Sequence, residues 1–323
     1  MTRRGAPAGN PIEPSSERSA TGADRRTVAA DDVRTNNYMC VSCHILPMAR
    51  LERLRVYPIK GLDGIELETA ELLAGGTLAS DREFALFDAD GEVLNGKRTE
   101  RVHDLRTDFD PGVATPSQRR GGGEAAETAV LEVEAPDGEV VRFELETETG
   151  RDRAADWFGD FFDVELTLER DRTLGYVDRR EMGPSVISTA TLETVADWFD
   201  DEGMTVEGAR RRLRANVEIG GVEPFWEDRF VGEDAPAFEV DGVRFEGVTP
   251  CGRCVVPRRD PESGEPIEEF RQRFVEKREE TFPDWADADA FDHYYTVMLI
   301  SRVAEADRGE TLRVGDSVRV VDD

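Results

Sequence analysis

Val130-Leu-Glu-Val-Glu-Ala-Pro-Asp-Gly138-Glu-Val-Val-Arg-Phe-Glu-Leu145 spells out a β-hairpin. Its two arms, Val130–Glu134 and Val140–Leu145, carry strand-type alternation, and Pro136-Asp137-Gly138 supplies the turn. The same grammar recurs outward from it. Phe84-Ala-Leu-Phe-Asp-Ala-Asp-Gly91-Glu-Val-Leu94 predicts another hairpin, turning at Asp90-Gly91. Leu54 and Val56 alternate with Arg53 and Arg55 in a strand that stops at Tyr57-Pro58. Tyr294–Ser301 and Leu312–Val321 close the chain as strands, the latter split by Gly315-Asp316.

Helices are few. Apolar residues recur at helical spacing over Arg153–Phe162 and Thr191–Phe199, the second capped by Thr189 or Thr191. Pro266–Glu280 reads as a charged helix that buries Phe270 and Phe274. Many strands with few helices predict an α+β, mainly β protein built on β-barrels or curled sheets, not a doubly wound sheet. Asp110–Thr128, with Gly121-Gly122-Gly123, is a long flexible connection. No Gly-Lys-Ser/Thr follows those glycines, which excludes a P-loop.

The 323 residues hold 41 Lys plus Arg against 70 Asp plus Glu, a net charge of −29. That balance argues against general nucleic-acid or anionic-membrane binding, both of which need a basic footprint. No apolar run is long enough for a membrane span and no charged-then-apolar leader opens the chain, so a cytoplasmic protein is expected. Only Lys60, Lys97 and Lys277 are lysines; the other 38 basic residues are arginines. A carboxylate-rich, lysine-poor surface is the composition of a halophilic, haloarchaeal-type protein, with biased codon usage as the plainer explanation. Residues 1–47 show neither periodicity and read as a disordered tail or a mis-assigned start, with Met48 as the natural beginning.

Reactive residues narrow the chemistry. Histidine is confined to His44, His103 and His293, and neither a Gly-x-Ser-x-Gly elbow nor a His-Glu-x-x-His pair occurs. Cysteines form two pairs, Cys40/Cys43 and Cys251/Cys254. Two such knuckles could bind zinc, but they lie far apart and one falls in the tail. Cys40-Val-Ser-Cys43-His44 matches a c-type haem attachment string by chance, since no export signal precedes it. Cys251-Gly-Arg-Cys254 follows a strand inside the folded part. A buried pair of inert thiols is the plain alternative, and a thioredoxin-like pair belongs at a helix start, which Val255-Val-Pro-Arg-Arg-Asp-Pro does not provide. A thiolate on a loop beside Arg253 suits metal ligation better.

Basic islands stand out against the acidic background. Ala209-Arg-Arg-Arg-Leu-Arg-Ala-Asn216-Val places four arginines in five positions. If 213–219 is a strand, Arg214 and Asn216 share one face, suited to a phosphate or a polar heterocycle. Arg210–Arg212 read instead as a basic helix end paired with nearby carboxylates. Lys60 follows a strand into a glycine turn, and Arg82 opens the next strand.

Taken together, Tyr57-Pro-Ile-Lys60-Gly-Leu-Asp-Gly64, Ser80-Asp-Arg82-Glu-Phe, Leu94-Asn-Gly-Lys97-Arg, Leu213-Arg214-Ala-Asn216-Val, Pro224-Phe-Trp226-Glu-Asp, Cys251-Gly-Arg-Cys254-Val, Asp260-Pro-Glu-Ser-Gly264 and Leu312-Arg-Val-Gly-Asp-Ser-Val resemble the MOSC family, the molybdenum cofactor sulfurase C-terminal domain. The closest similarity is to the mitochondrial amidoxime-reducing component and its bacterial relatives. The resemblance implies a MOSC-associated N-terminal β-domain over 48–170 and a MOSC β-barrel with a few helices over 171–323. It also implies a molybdenum–pyranopterin cofactor ligated by Cys254. Lys60, Arg82, Lys97, Ser188, Arg214 and Asn216 would then hold the pterin and its phosphate, with the Gly252 and Arg253 backbone approaching the metal. Departures are Gly61, where the family often has Ser, and Lys97, where it has Arg. The implied activity is reduction of small N-hydroxylated or N-oxygenated substrates with electrons from a separate ferredoxin or cytochrome-type protein. The alternative is a non-catalytic cofactor-binding or sulfur-carrier module; pyridoxal phosphate binding attaches to the family as a label only.

Overall fold

The computed structural model describes residues 48–112, 128–180 and 182–321, all within one compact unit. The expectations for 1–47, Cys40, Cys43 and His44 included, and for the glycine run at 121–123, lie outside the described residues. Strand β1 (Arg50–Val56) buries Leu51, Leu54 and Val56 completely, and its alternation is interrupted by a register shift between Leu51 and Arg53. It pairs antiparallel with β2 (Ile65–Leu67) on one side and β10 (Val217–Gly220) on the other. From β10 the sheet continues through β9 (Ser185–Ser188), β13 (Thr296–Val303), β12 (Val243–Gly252), β11 (Ala237–Val240) and β15 (Val318–Val321). Only β9 and β10 run parallel. The far edge then meets β1 again: Leu51 N–H donates to the Asp316 carbonyl at 2.8 Å and Val318 N–H to that of Ala49 at 2.9 Å. The eight strands therefore curl round on themselves, which protects the sheet's edges. Trp226, Phe230, Phe238 and Phe245 pack ring against ring in the interior at centroid spacings of 4.5–5.3 Å.

A second body stands beside this curled sheet. The 130–145 hairpin forms as β6 (Val130–Glu134) and β7 (Val140–Glu144), with Gly138 N–H closing the turn on Ala135. Strand β5 (Arg106–Asp110) extends it on the other side of β6. Helix α1 (Glu148–Phe162) covers it with Ala154, Ala155 and Phe158. The helix begins at Glu148 rather than Arg153, because Thr147 caps it by accepting from Gly150 N–H at 3.0 Å. The expected Phe84–Leu94 hairpin forms with a short return arm. Its turn closes with Gly91 N–H on Asp88, and the return arm pairs around Phe87 and Val93 through Asp88 N–H to the Glu92 carbonyl at 3.0 Å and Leu94 N–H to that of Leu86 at 2.8 Å. Strand β4 (Phe84–Asp88) also pairs over its whole length with β8 (Leu166–Arg170), whose Leu166 and Leu168 extend the same buried face. Strand β3 (Thr69–Glu71) pairs with β14 (Thr311–Arg313) near the end of the chain, and their Ala70 and Leu312 join the core of the curled sheet.

Helix α2 (Thr189–Trp198) is capped by Ser188, one residue before the expected Thr189. Helices α3 (Val206–Leu213) and α4 (Phe270–Glu280) complete the described α-helices, and Phe270 and Phe274 are buried as the spacing predicts.

Beneath α2 and α4 lies an acidic cluster that composition does not announce. Glu227 (1% exposed) accepts from Ser188 N–H and Thr191 Oγ1, both at 3.2 Å, and its Oε1 has no partner. Asp228 receives Arg278, which is itself 0% exposed. Burial, with the neighbouring Asp228 charge, pushes the Glu227 carboxyl up to about 8. Burial, only partly offset by Arg278, pushes Asp228 up to about 6. Because both folded values lie above the ordinary carboxyl range, the native state holds protons that the unfolded chain has released. Stability is then expected to fall as pH rises from about 4.5 through 8. Each kcal/mol lost lowers Tm by roughly 2–4 °C in domains somewhat smaller than this one. Thermal melts across that range should show the decline, and Glu227→Gln should flatten it; a parallel decline in the variant would remove Glu227 as its source.

Candidate functional site

The junction of the two bodies encloses a cavity of about 500 Å³, ample for a cofactor or drug-sized ligand. Its centre is built on one ring. Where β1 ends, Tyr57 is buried to 1% exposure, its N–H held by Asp81 at 3.0 Å and its hydroxyl donating to the Ala215 carbonyl at 3.3 Å. The guanidinium carbons of Arg214 and Arg82 stand 3.9 and 5.2 Å from its centroid. Both arginines occupy the left-handed region, at φ 60° and 53°, a conformation that costs about 1–3 kcal/mol for a residue with a Cβ. Two strained cations on one buried ring are a feature of a site rather than of a core.

Their partners differ. Arg82 pairs with Asp81, whereas no ion pair engages Arg214 among the described residues. Burial and the nearby Arg82 charge push the Arg214 guanidinium below its ordinary value, with Tyr57 acting the other way. Lys60 and Lys97 reach the same carboxylate, Asp178, at 2.5 and 3.6 Å. Burial pushes Asp178 up, but Lys60, Lys97 and Arg82 outweigh it and hold the carboxyl below its ordinary range. Gly61 follows Lys60 at φ 97°, and an added Cβ would stand 3.0 Å from Asn95 Cα. Glycine is what this turn accommodates.

The thiols come from the end of β12. Cys251 and Cys254 are both free and half-buried, and Cys251 also packs against the core around Phe270 and Phe274. Arg253 donates to the Leu213 carbonyl at 2.9 Å and to Cys251 Sγ at 3.3 Å, tying this loop to the end of α3. The Cys254 carbonyl accepts from Tyr295 at 3.0 Å. Beyond Cys254 the chain enters a short 3-10 turn (Val256–Arg258), not the α-helix a thioredoxin-like pair would open.

Lys60, Arg82, Lys97, Arg214, Asn216, Gly252, Arg253 and Cys254 all line the cavity. Ser188 does not: it is 0% exposed, capping α2, and Ser185 lines the wall instead. The strand drawn through 213–219 is also corrected. Leu213 ends α3, Arg214 is its left-handed cap, and β10 starts at Val217. Asn216 faces the cavity with its amide engaged, Oδ1 accepting from Ser185 N–H and Oγ at 3.2 and 3.0 Å and Nδ2 donating to the Arg55 carbonyl at 3.1 Å. Its geometry braces β1 against β9. Arg210 and Arg212 pair with Glu218 and Asp260, as a basic helix end should.

Lining residues beyond those expected include Tyr57, Asp178, His103 and Arg259, and also Arg211 and Arg212, which the sequence reads as part of a basic helix end paired with carboxylates. They raise the lining to ten Lys and Arg against three Asp, in a chain whose overall balance is 41 to 70. Local charge thus inverts the global charge. Of eight buried side-chain polar atoms without a partner among the described residues, four belong to this wall: Arg55 Nε, His103 Nε2, Arg212 Nε and Arg253 Nε. Unsatisfied buried polar atoms are rare, and their concentration here marks a surface shaped for a polar, anionic ligand.

Two family profiles match the chain: the MOSC N-terminal beta barrel domain over residues 48–165 and the MOSC domain over 181–319. The chain contains both MOSC domains. MOSC domains are associated with binding of the molybdenum cofactor. No curated protein sequence matches this MOSC chain. Among solved structures it is similar to the YUAD protein from Bacillus subtilis, at 11% identity and a TM-score of 0.38, over 85% of this chain and 97% of that one. Against the cofactor's chemistry, the wall of this MOSC cavity fits: cations for a phosphate, unpartnered N–H groups for a polar heterocycle, and free thiols for a soft metal. Among the described residues no three His, Cys, Asp or Glu side chains converge as a metal cage, so a metal here would lean on the cofactor for its other ligands. No described helix is long and apolar enough to cross a membrane.

Proposed function

We propose that this chain is a molybdenum-cofactor-dependent oxidoreductase that reduces small N-hydroxylated or N-oxygenated compounds. The observation that carries the reading is the cation-lined cavity with a free thiol in its wall, inside a strongly acidic protein. When bound, the cofactor supplies two-electron removal of oxygen from the substrate. Cys254 would provide the protein's thiolate to the metal. Lys60, Arg82 and Arg214 would neutralise the phosphate, and Lys97, sharing Asp178 with Lys60, would close its outer side. Gly252 and the Arg253 backbone would let the chain approach the metal, with no bulky side chain at Gly252. Asn216 and Ser185 hold the wall in place behind Arg214. Electrons would come from a separate ferredoxin or cytochrome-type protein in the cytoplasm.

The test is metal and pterin analysis of protein purified from a molybdate-sufficient host, followed by hydroxylamine-type substrates with a reduced viologen as donor. Molybdenum and pterin near one per chain, with turnover, support the reading. Molybdenum and pterin without turnover of any N-oxygenated substrate would favour a cofactor or sulfur carrier. Zinc in place of molybdenum would sink both.

A further inference from the structure

His103 is the one histidine in the cavity wall, and its Nε2 is buried with no partner. It belongs to a 3-10 turn (Glu100–Asp104) capped by Thr99 and packed on the 260–264 loop, where a Cβ on Gly264 would lie 3.3 Å from its own Cβ. Charge reaches it from every side. Arg259 approaches from the 255–264 loop, paired at 2.6 Å with Glu100 of the histidine's own turn. Arg214 acts from the end of α3, Arg106 from β5, and Asp63 from the turn after Lys60. Arg106 also donates to the His103 carbonyl at 2.8 Å.

Burial comes first, then Arg259 and Arg214, in pushing the imidazole below its ordinary range; Asp63 opposes them. These surroundings favour the neutral imidazole. An anion entering among these arginines cancels the repulsion that keeps the proton off. Guanidiniums and ammoniums in the wall are already charged and cannot respond; a histidine can.

We propose that His103 is a proton-coupled part of the anion site: it takes up a proton from solvent as a phosphate-type anion binds among Arg214 and Arg259. The inference rests on the reading of this cavity as an anion site. It deepens that reading by naming a residue whose contribution depends on pH.

Sulfate is the probe, because its own charge is constant between pH 5 and 8. Titration calorimetry of the cofactor-free chain, in buffers of different ionisation enthalpy, should show net proton uptake on sulfate binding, up to a limit of one proton per sulfate. Affinity should rise by up to about tenfold per pH unit on acidification and level off below the free imidazole's pKa. His103→Gln should still bind sulfate, with the uptake and the pH slope lost. If that variant folds poorly, the His103 ring resonance of the wild-type chain should titrate at higher pH with sulfate than without. Sulfate binding with no proton uptake, or uptake unchanged in His103→Gln, overturns the proposal while leaving the anion site intact. Absence of sulfate binding altogether overturns the anion site itself. In the cofactor-loaded protein, loss of uptake would assign the response to the cofactor's phosphate, and its persistence to an anionic substrate beside it.

Discussion

Cys254→Ala is expected to eliminate reduction of N-hydroxylated compounds, by more than the roughly 10–100-fold that changes outside the ligand set already produce. Cys251→Ala should keep most activity and molybdenum. The two thiols line the same cavity and are both half-buried, so exposure does not separate them. Their surroundings do. Cys251 Sγ accepts from Arg253 and so belongs to the brace that ties this loop to Leu213. The Cys254 sulfur has no hydrogen bond among the described residues, while its carbonyl is fixed by Tyr295. A fixed backbone with a free sulfur is what a single-thiolate ligand requires. Removing Cys251 costs a weak sulfur hydrogen bond and leaves Arg253 its bond to Leu213. Metal and pterin content measured beside turnover reads the difference. Equal losses from both substitutions would overturn the assignment and point to a dithiol mechanism or a two-cysteine metal site.

The strands were legible wherever one face is buried and the other wet. The 130–145 hairpin appears with the register its alternation demands, because Leu131, Val133 and Phe143 have one core to enter. The Asp90-Gly91 turn also returns the chain onto Phe84–Asp88 as expected, through Asp88 N–H to Glu92 and Leu94 N–H to Leu86. The return arm is too short to extend the ladder, whereas β8, which nothing in the local sequence announces, pairs along the whole strand. The stretch from Leu213 to Val217 was misread. A left-handed cap and a short extended link look like a strand in sequence, since Arg is not the residue expected at positive φ. The placement of Arg214 in the cavity was still recovered, because motif resemblance follows position rather than local conformation. Ser188 shows the opposite failure. Its hydroxyl is consumed by capping α2, a local role that no distant motif reveals. Asp178 carried no signal at all, as one carboxylate among 70 acidic residues; only folding shows that it gathers Lys60 and Lys97.

Arg214→Gly should lose the pterin cofactor while melting no lower than the wild-type chain. The two halves of that expectation have separate causes. Arg214 holds φ 60°, a conformation glycine adopts freely and which costs about 1–3 kcal/mol for a residue with a Cβ. Relief of that cost offsets the loss of the stacking contact with Tyr57 at 3.9 Å, itself about 0.5–2 kcal/mol. No carboxylate is orphaned by the change, because none pairs with Arg214 among the described residues. Binding has no such compensation. A charge-assisted hydrogen bond to a phosphate is worth about 1.5–3 kcal/mol, so retention of the cofactor should fall by roughly 10–100-fold. Arg214→Ala keeps the strain and loses the contact as well, and should show the same pterin loss with a lower Tm. The pair of variants therefore separates the energetic cost of the backbone from the use made of the charge. Pterin content through purification, read beside the thermal melt, decides it. Wild-type pterin content in Arg214→Gly would leave the strained arginine without the role assigned to it and shift the phosphate towards Lys60 and Arg82.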